Sequence, residues 1–203
     1  MKKIKIAVLV SGGGTNLQAL IDSQNKVINS GEIALVISNK AGVYALERAK
    51  NAGIKSLVIT KAECGSIENF NKKLIEVLKA ENIDLIVLAG FLAILSKEFT
   101  DAFKDRIINV HPSLIPSFCG KGYYGLKVHE EALSYGVKVT GATVHYVNEI
   151  PDGGKIIMQK AVEILDGDTP EILQKRVMER AEWIILPASC ELVSKKLLSE
   201  KNK

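Results

Sequence analysis

Asn109 and His111 stand two residues apart in Ile107-Ile108-Asn109-Val110-His111-Pro112, the end of an apolar run. In an extended strand that spacing puts both side chains on one face. An imidazole titrates near neutral pH, so His111 is suited to taking and giving protons. Asp152, in Asp152-Gly153-Gly154, follows a later run that holds His145. A carboxylate facing an imidazole orients the ring and raises its pKa. These residue types allow a proton-transfer pair, and Asp-Gly-Gly equally suits a plain hairpin turn. His129, beside Glu130 in a helical pattern, reads as a surface residue. His145, on a strand, reads as a hydrogen-bonded structural one.

A second cluster, Ser11-Gly12-Gly13-Gly14-Thr15-Asn16, separates an apolar run from a helical pattern. Glycines let the backbone turn sharply and approach a ligand. The helix start behind them offers unpaired N–H groups and a positive dipole end. Together with the Thr15 and Asn16 side chains, these suit a single terminal phosphate. A bare strand-to-helix connection would use the same glycines. The spacing is not the dinucleotide fingerprint, which disfavours a dehydrogenase, and no Lys follows the last glycine as a P-loop requires.

Both clusters need elements to position them. Apolar, β-rich runs at Ile4–Val10, Ile33–Ser38, Ser56–Thr60, Asp84–Ala89 and Arg106–Val110 read as strands. Helical patterns lie between them at Asn16–Ser23, Tyr44–Ala52 and Ile67–Ala80. This alternation predicts a parallel sheet with helices on both faces. Asn109 and His111 then fall at the carboxyl edge, where open α/β sheets bind ligands. Residues 111–125 are a long Pro- and Gly-rich loop, of a length that is often functional. A helix at Leu126–Tyr135 and strands at Thr140–Val147 and Lys155–Val162 follow, the last two alternating as an antiparallel hairpin or a mixed sheet edge would. Thr169-Pro170 starts the final helix, running to about Leu198 with an interruption near Pro187.

The chain has 203 residues and a net charge of +4, from 27 basic and 23 acidic side chains. Lys195, Lys196, Lys201 and Lys203, offset by Glu200, supply three of those charges, so the body is nearly neutral. That disfavours a nucleic-acid partner. No apolar run is long enough for a membrane helix, and a cytoplasmic location is expected. The cysteines, Cys64, Cys119 and Cys190, are three and widely spaced. They lack metal-ligand spacing, and reduced thiols with no metal site are expected.

Four stretches carry a resemblance: SGGGTNLQ at 11–18, AGF at 89–91, NVHPSLIP at 109–116 and DGG at 152–154. They resemble the folate-dependent glycinamide ribonucleotide formyltransferase family of purine synthesis, over about residues 4–187. The resemblance implies an α/β, Rossmann-like formyltransferase fold with a mostly parallel sheet and an antiparallel C-terminal portion. It implies one formyltransferase domain over 1–203, with a phosphate-binding half (1–110) and a catalytic-loop and folate half (111–203). The expected reaction transfers the formyl group of the co-substrate 10-formyltetrahydrofolate to the amine of 5-phosphoribosylglycinamide. Carried over, Gly14, Thr15 and Asn16 bind the substrate phosphate. Asn109, His111 and Asp152 are catalytic, and Glu182 contacts the glycinamide end. Leu92, Ala93, Ile94 and Leu95 line the folate pocket, with Asn109 and the segment Asn148, Glu149, Ile150, Pro151 and Asp152.

The chain also departs from the family pattern. The last helix carries one extra residue before Glu182, and Ala93 stands where Arg is common. Ile67 replaces an Arg that assists the folate tail, with Lys72 or Lys73 nearby in sequence to substitute. Several 10-formyltetrahydrofolate enzymes share Asn-x-His-Pro-Ser with a later Asp-Gly-Gly. A formyltransferase with another acceptor, or a deformylase, is therefore the nearest alternative. The extra domains of methionyl-tRNA formyltransferase and the deformylase are not expected within this length. A non-catalytic nucleotide-binding module would leave Asn109, His111 and Asp152 unexplained. Oligomeric state stays open between monomer and homodimer.

Overall fold

The first apolar run becomes β1 (Ile4–Val10), and its side chains divide between two buried faces. Ile4, Ile6, Val8 and Val10 enter one apolar cluster, Ala7 and Leu9 another. A strand covered on both sides accounts for a run with so little polar alternation. The computed structural model describes residues 3–202. The other strands are β2 (Gly31–Ser38), β3 (Ser56–Val58), β4 (Leu85–Leu88), β5 (Ile107–His111), β6 (Val139–Tyr146) and β7 (Ile156–Glu163). All seven join one sheet in the order β3-β2-β1-β4-β5-β6-β7. Pairing is parallel from β3 to β5 and antiparallel from β5 through β6 to β7.

Eight helices among the described residues cover the sheet. They are α1 (Thr15–Asp22), α2 (Tyr44–Asn51), α3 (Lys61–Cys64), α4 (Ile67–Ala80), α5 (Lys97–Ala102), α6 (Leu126–Tyr135), α7 (Pro170–Val177) and α8 (Trp183–Lys201). On one face, Leu17 and Leu20 of α1, Ala45 and Ala49 of α2, Leu173 of α7 and Ile185 of α8 join the first cluster. On the other, Phe70, Leu74 and Leu78 of α4 meet Phe99 of α5 in the second. The α/β, mostly parallel architecture is as expected from the alternating pattern. No helix among the described residues is long and apolar enough to cross a membrane.

Two elements depart from the sequence reading. Helix α5 is too short for periodicity to reveal; Ser96 caps it by accepting from the Phe99 N–H. In the last helical stretch the interruption lies not at Pro187 but before it. Met178–Glu182 forms a single π-turn between α7 and α8, and Pro187 sits inside α8. Proline lacks an N–H and crowds the carbonyl four residues back. That carbonyl belongs to Trp183, the first residue after the π-turn, so the distortion is taken up there. Thr169 and Pro170 start α7 as expected, the Thr169 hydroxyl accepting from Ile172 N–H.

From β1 the chain winds outward through β2 and β3, then returns to β4 on the other side of β1. Loops diverge at such a reversal and leave a crevice at the carboxyl ends of the strands. Ser11–Gly14, Gly90–Leu92 and His111–Pro112 leave the sheet at those ends.

Candidate active site

A cleft of about 390 Å³ fills that crevice, and Asn16, Leu92, Asn109, His111, Asp152 and Glu182 are among its lining residues. Ile108 and Val110 of β5 belong to the first apolar cluster, Ile107 to the second. Asn109 and His111 therefore share the Ile107 face, as alternation requires. Across the β5–β6 ladder, Asn109 pairs with His145 and His111 with Thr143.

His111 and Asp152 do meet. His111 Nδ1 lies 3.6 Å from Asp152 Oδ2, and His145 Nε2 lies 3.6 Å from Asp152 Oδ1. Asp152 is held with a positive φ of 55°, a conformation aspartate tolerates better than most residues. Its Oδ2 accepts from the Gly120 N–H at 2.8 Å, which ties the 111–125 loop to the carboxylate. Burial alone would raise the Asp152 pKa. His145, His111 and the Gly120 N–H outweigh it and hold the carboxyl below its usual range.

Carbonyl partners set the proton positions. His111 Nε2 is 2.9 Å from the Phe118 carbonyl, which only accepts, so Nε2 carries a hydrogen. In neutral His111 the lone pair is then on Nδ1, facing Asp152. His145 Nδ1 likewise donates to the Tyr146 carbonyl at 2.8 Å, leaving Nε2 to accept from Asn109 Nδ2 at 3.2 Å. This fixes the Asn109 amide and leaves it a second N–H. The sequence reading of His145 as hydrogen-bonded and structural is correct as far as it goes. The structure adds that it holds Asn109 and stands 3.6 Å from Asp152.

The pKa of His111 runs against the sequence argument. Asp152 and the Phe118 carbonyl raise it, but burial outweighs them, with a small contribution from His145, and the net shift is downward. His111 is 4% exposed, so desolvation of the cation dominates. A proton on Nδ1, facing Asp152, is thus held less firmly than on a free imidazole.

His129 is not at the surface. It lies on the buried side of α6 with Val128 and Ala132, 1% exposed, and neither ring nitrogen has a partner. Glu130 suggested solvent, but a helix turns adjacent residues onto different faces. Burial, with a smaller contribution from His111, pushes His129 down to about 4. The folded state then binds fewer protons than the unfolded one between pH 4 and 6.5. Stability is lost as pH falls through that window, by at most about 3 kcal/mol. Urea titrations at pH 7 and 4.5 should show a smaller acid loss in His129→Leu than in the parent. An equal loss would place the acid sensitivity elsewhere.

At the glycine loop, Gly14 caps α1 with a φ of 73°. Its neighbour α2 packs close, and Arg48 crosses onto the loop, donating from Nε to the Gly13 carbonyl at 2.9 Å. A guanidinium beside the α1 N-terminus strengthens an anion site, and no local sequence signal links positions 13 and 48. The Asn16 amide does not face the loop. Its Nδ2 donates to Glu182 Oε2 at 2.6 Å, and the Thr15 hydroxyl lies 3.8 Å from Met178 Sδ.

The π-turn aims Glu182. In a straight α-helix each four-residue step overshoots a full turn by about 40°, so Glu182 would stand about 80° around from Gln174. One additional residue per turn takes that rotation back. Gln174, Met178 and Glu182 all line the cleft.

The residues expected to line a folate pocket divide. Leu92 lines the cleft and its N–H donates to Ser11 Oγ at 2.8 Å. Ala93 and Ile94 line an adjoining hollow of about 440 Å³ with Lys61, Ile67 and Phe70. Leu95 packs against the second apolar cluster. Asn148, Glu149, Ile150 and Pro151 form the turn that delivers Asp152, with Asn148 Oδ1 accepting from the Ile150 N–H. Lys72 and Lys73 border a different hollow, beside Glu63 and Glu76. Among the described residues no cluster of His, Cys, Asp and Glu is arranged to hold a metal.

A family model described as formyl transferase matches residues 4–189. The trifunctional purine biosynthetic protein adenosine-3 of Gallus gallus is 47% identical over 192 residues, covering 95% of this chain but 18% of that protein. The chloroplastic phosphoribosylglycinamide formyltransferase of Arabidopsis thaliana is 38% identical, over 94% of this chain and 66% of its own length. Among solved structures, glycinamide ribonucleotide transformylase 1 of Symbiobacterium toebii is similar with a TM-score of 0.89. It is 42% identical, with 96% of this chain and 89% of that one covered. The chain spans less than a fifth of the length of the trifunctional relative.

Proposed function

The chain belongs to the formyl transferase family, and on that premise we propose that it formylates the amine of 5-phosphoribosylglycinamide from 10-formyltetrahydrofolate. The products are N-formylglycinamide ribonucleotide and tetrahydrofolate, a step of purine biosynthesis. The observation that carries this reading is the convergence of Asn109, His111 and Asp152 in one cleft that also reaches Asn16 at the start of α1.

The phosphate goes to the first turn of α1, where the N–H groups lack intrahelical partners and Arg48 adds charge. Gly14, Thr15 and Asn16 serve it through their backbone. Exposed apolar side chains at Leu92, Ile94 and Ile150 suit a flat heteroaromatic donor. As the amine attacks the formyl carbon, the formyl oxygen gains negative charge. The second N–H of Asn109 is the donor fixed in place for it, a contribution of about 3 kcal/mol. The attacking nitrogen must lose a proton and the departing N10 must gain one. His111 Nδ1 takes that proton, Asp152 stabilises the imidazolium, and its low pKa makes the imidazolium release the proton readily.

Lys61 is our candidate for the cation that meets the folate glutamate tail, because it shares a hollow with Ile67, Ala93 and Ile94. Lys61→Ala should raise KM for a glutamylated donor about threefold to tenfold at low salt and leave kcat alone. No salt-dependent change in KM would remove Lys61 from the tail site.

The test of the function is to mix protein and donor with and without 5-phosphoribosylglycinamide. Tetrahydrofolate formation should require the acceptor, in a 1:1 ratio with formylated product. Equal consumption without acceptor would identify a hydrolase, the main alternative.

A further inference from the structure

A row of directly paired residues crosses the antiparallel part of the sheet: His111 on β5, Thr143 on β6 and Gln159 on β7. Direct partners present their side chains to one face. Gln159 is exposed at the sheet edge, outside the lining of the cleft. It nonetheless donates twice from Nε2, to Thr143 Oγ1 at 3.0 Å and to the Ile115 carbonyl at 3.0 Å. The buried Thr143 hydroxyl also accepts from the Ile115 N–H at 3.1 Å and donates to the Ser113 carbonyl at 2.7 Å. A hydroxyl has one proton and two lone pairs, so Thr143 is fully used. Ser113 Oγ donates to the Ser117 carbonyl at 2.6 Å, and the Ser117 N–H closes a turn on the Leu114 carbonyl at 3.0 Å. Leu114 rests against β6 at Gly141, where an added Cβ would stand 2.9 Å from its Cδ2. Residues 113–117 are thus fastened to β6 and β7.

We infer that Gln159 is a positioning residue: with Thr143 it fixes the 113–117 turn, and through it the Phe118 carbonyl that selects which nitrogen of His111 carries the proton. This rests on the reading of His111 as the proton acceptor in a formyl transfer. A neutral imidazole has one N–H, and at His111 two acceptors compete for it. The Phe118 carbonyl stands 2.9 Å from Nε2, and the Asp152 carboxylate 3.6 Å from Nδ1. A carboxylate is the stronger acceptor at equal distance, so the closeness of the carbonyl decides. Were the carbonyl to retreat, the proton would move to Nδ1. The lone pair that receives the substrate's proton would then be lost from that side of the ring.

The loop around that carbonyl does not hold it unaided. Phe118 has a φ of 49°, and Gly120, Gly122 and Gly125 after it are also at positive φ. A bulky residue persists in that region only where its surroundings demand it. The Phe118 ring meets Tyr123 and Tyr135 with centroids 6.5 and 6.0 Å away. The Cys119 thiol meets the Pro116 carbonyl within the loop and adds no tie to the sheet. The carbonyl therefore hangs between two anchors. One is the Gly120 N–H on Asp152. The other is the turn that Gln159 and Thr143 secure. Removing the Gln159 amide leaves Thr143 Oγ1 and the Ile115 carbonyl each short of one bond without touching the cleft.

The experiment reads the tautomer directly, from the nitrogen-15 resonances of the three imidazoles at neutral pH, with His111 assigned by its loss in His111→Ala. In the parent, His111 should carry its proton on Nε2 alone. Gln159→Met keeps the length of the side chain but donates nothing. It should move a large share of the proton to Nδ1 and lower kcat about tenfold, with KM for both substrates unchanged. Its unfolding midpoint should stay near the parent's, because the position is exposed. Thr143→Val should shift the tautomer at least as far, and Thr143→Ser, which keeps the hydroxyl, should retain the parent tautomer. An unchanged tautomer in Gln159→Met, or a lower kcat without a change of tautomer, would overturn the proposal. If Thr143→Val fails to fold, Gln159→Met still decides. If the parent transfers no formyl group, the reading of the function fails, and the tautomer in Gln159→Met still decides for or against the clamp.

Discussion

Asp152→Asn should lower kcat by about 10²–10⁴-fold while KM for both substrates changes little. The carboxylate is ionised, held below its usual pKa by two imidazoles and the Gly120 N–H. Its charge is the main influence opposing burial at His111. An amide in its place still accepts from Gly120 but presents no charge to His111 Nδ1. The imidazolium form becomes harder to reach, and the proton path slows. His111→Ala should cause a similar loss, and the double variant should be little worse than either single one, because the two act as a unit. Steady-state kinetics with measured substrate affinities would check this. Full turnover in Asp152→Asn would refute the paired mechanism, and simply additive losses would show that the residues act separately.

Gly14→Val should cost about 2–5 kcal/mol of stability. A side chain at a φ of 73° costs about 1–2 kcal/mol. Its Cβ would also stand 2.7 Å from Ala45 Cβ and 2.9 Å from Ala45 Cα. Ala45 is buried in the first apolar cluster, so α2 must move, and such overpacking costs about 1–3 kcal/mol more. Gly12→Ala is the control, since nothing lies within 4 Å of its added Cβ. Denaturant midpoints should separate the two variants clearly. A Gly14→Val midpoint close to the parent would mean that the loop relaxes freely and is no rigid cradle. Any folded Gly14→Val protein should also show a raised KM for the phosphorylated substrate, because the α1 N-terminus is displaced.

These two expectations draw on different levels of organisation. The glycine loop was legible because β1 and α1 are local patterns: an apolar run, three glycines, then helical spacing. Why Gly14 admits no side chain was not legible. The demand at Gly14 comes from Ala45, thirty-one positions away, and only packing brings α2 against the loop. Likewise α5 is invisible to periodicity because six residues carry too little of it. Proline is the usual helix breaker, so sequence places the final interruption at Pro187 rather than before it. The π-turn stands one turn before that proline and carries the buried Glu182.

Sequence alone determined the parallel strands, the carboxyl-edge position of Asn109 and His111 and their shared face, because strand alternation is a property of neighbouring residues. It also supplied the motifs by which the family was recognised. Only the tertiary structure decided that Asp152 reaches both His111 and His145, that Asn16 turns to Glu182, and that His129 is buried. It also reversed the expected direction of the His111 shift. Contacts across tens of residues, and the loss of water around a charge, exist only once the chain has packed, so no local pattern encodes them.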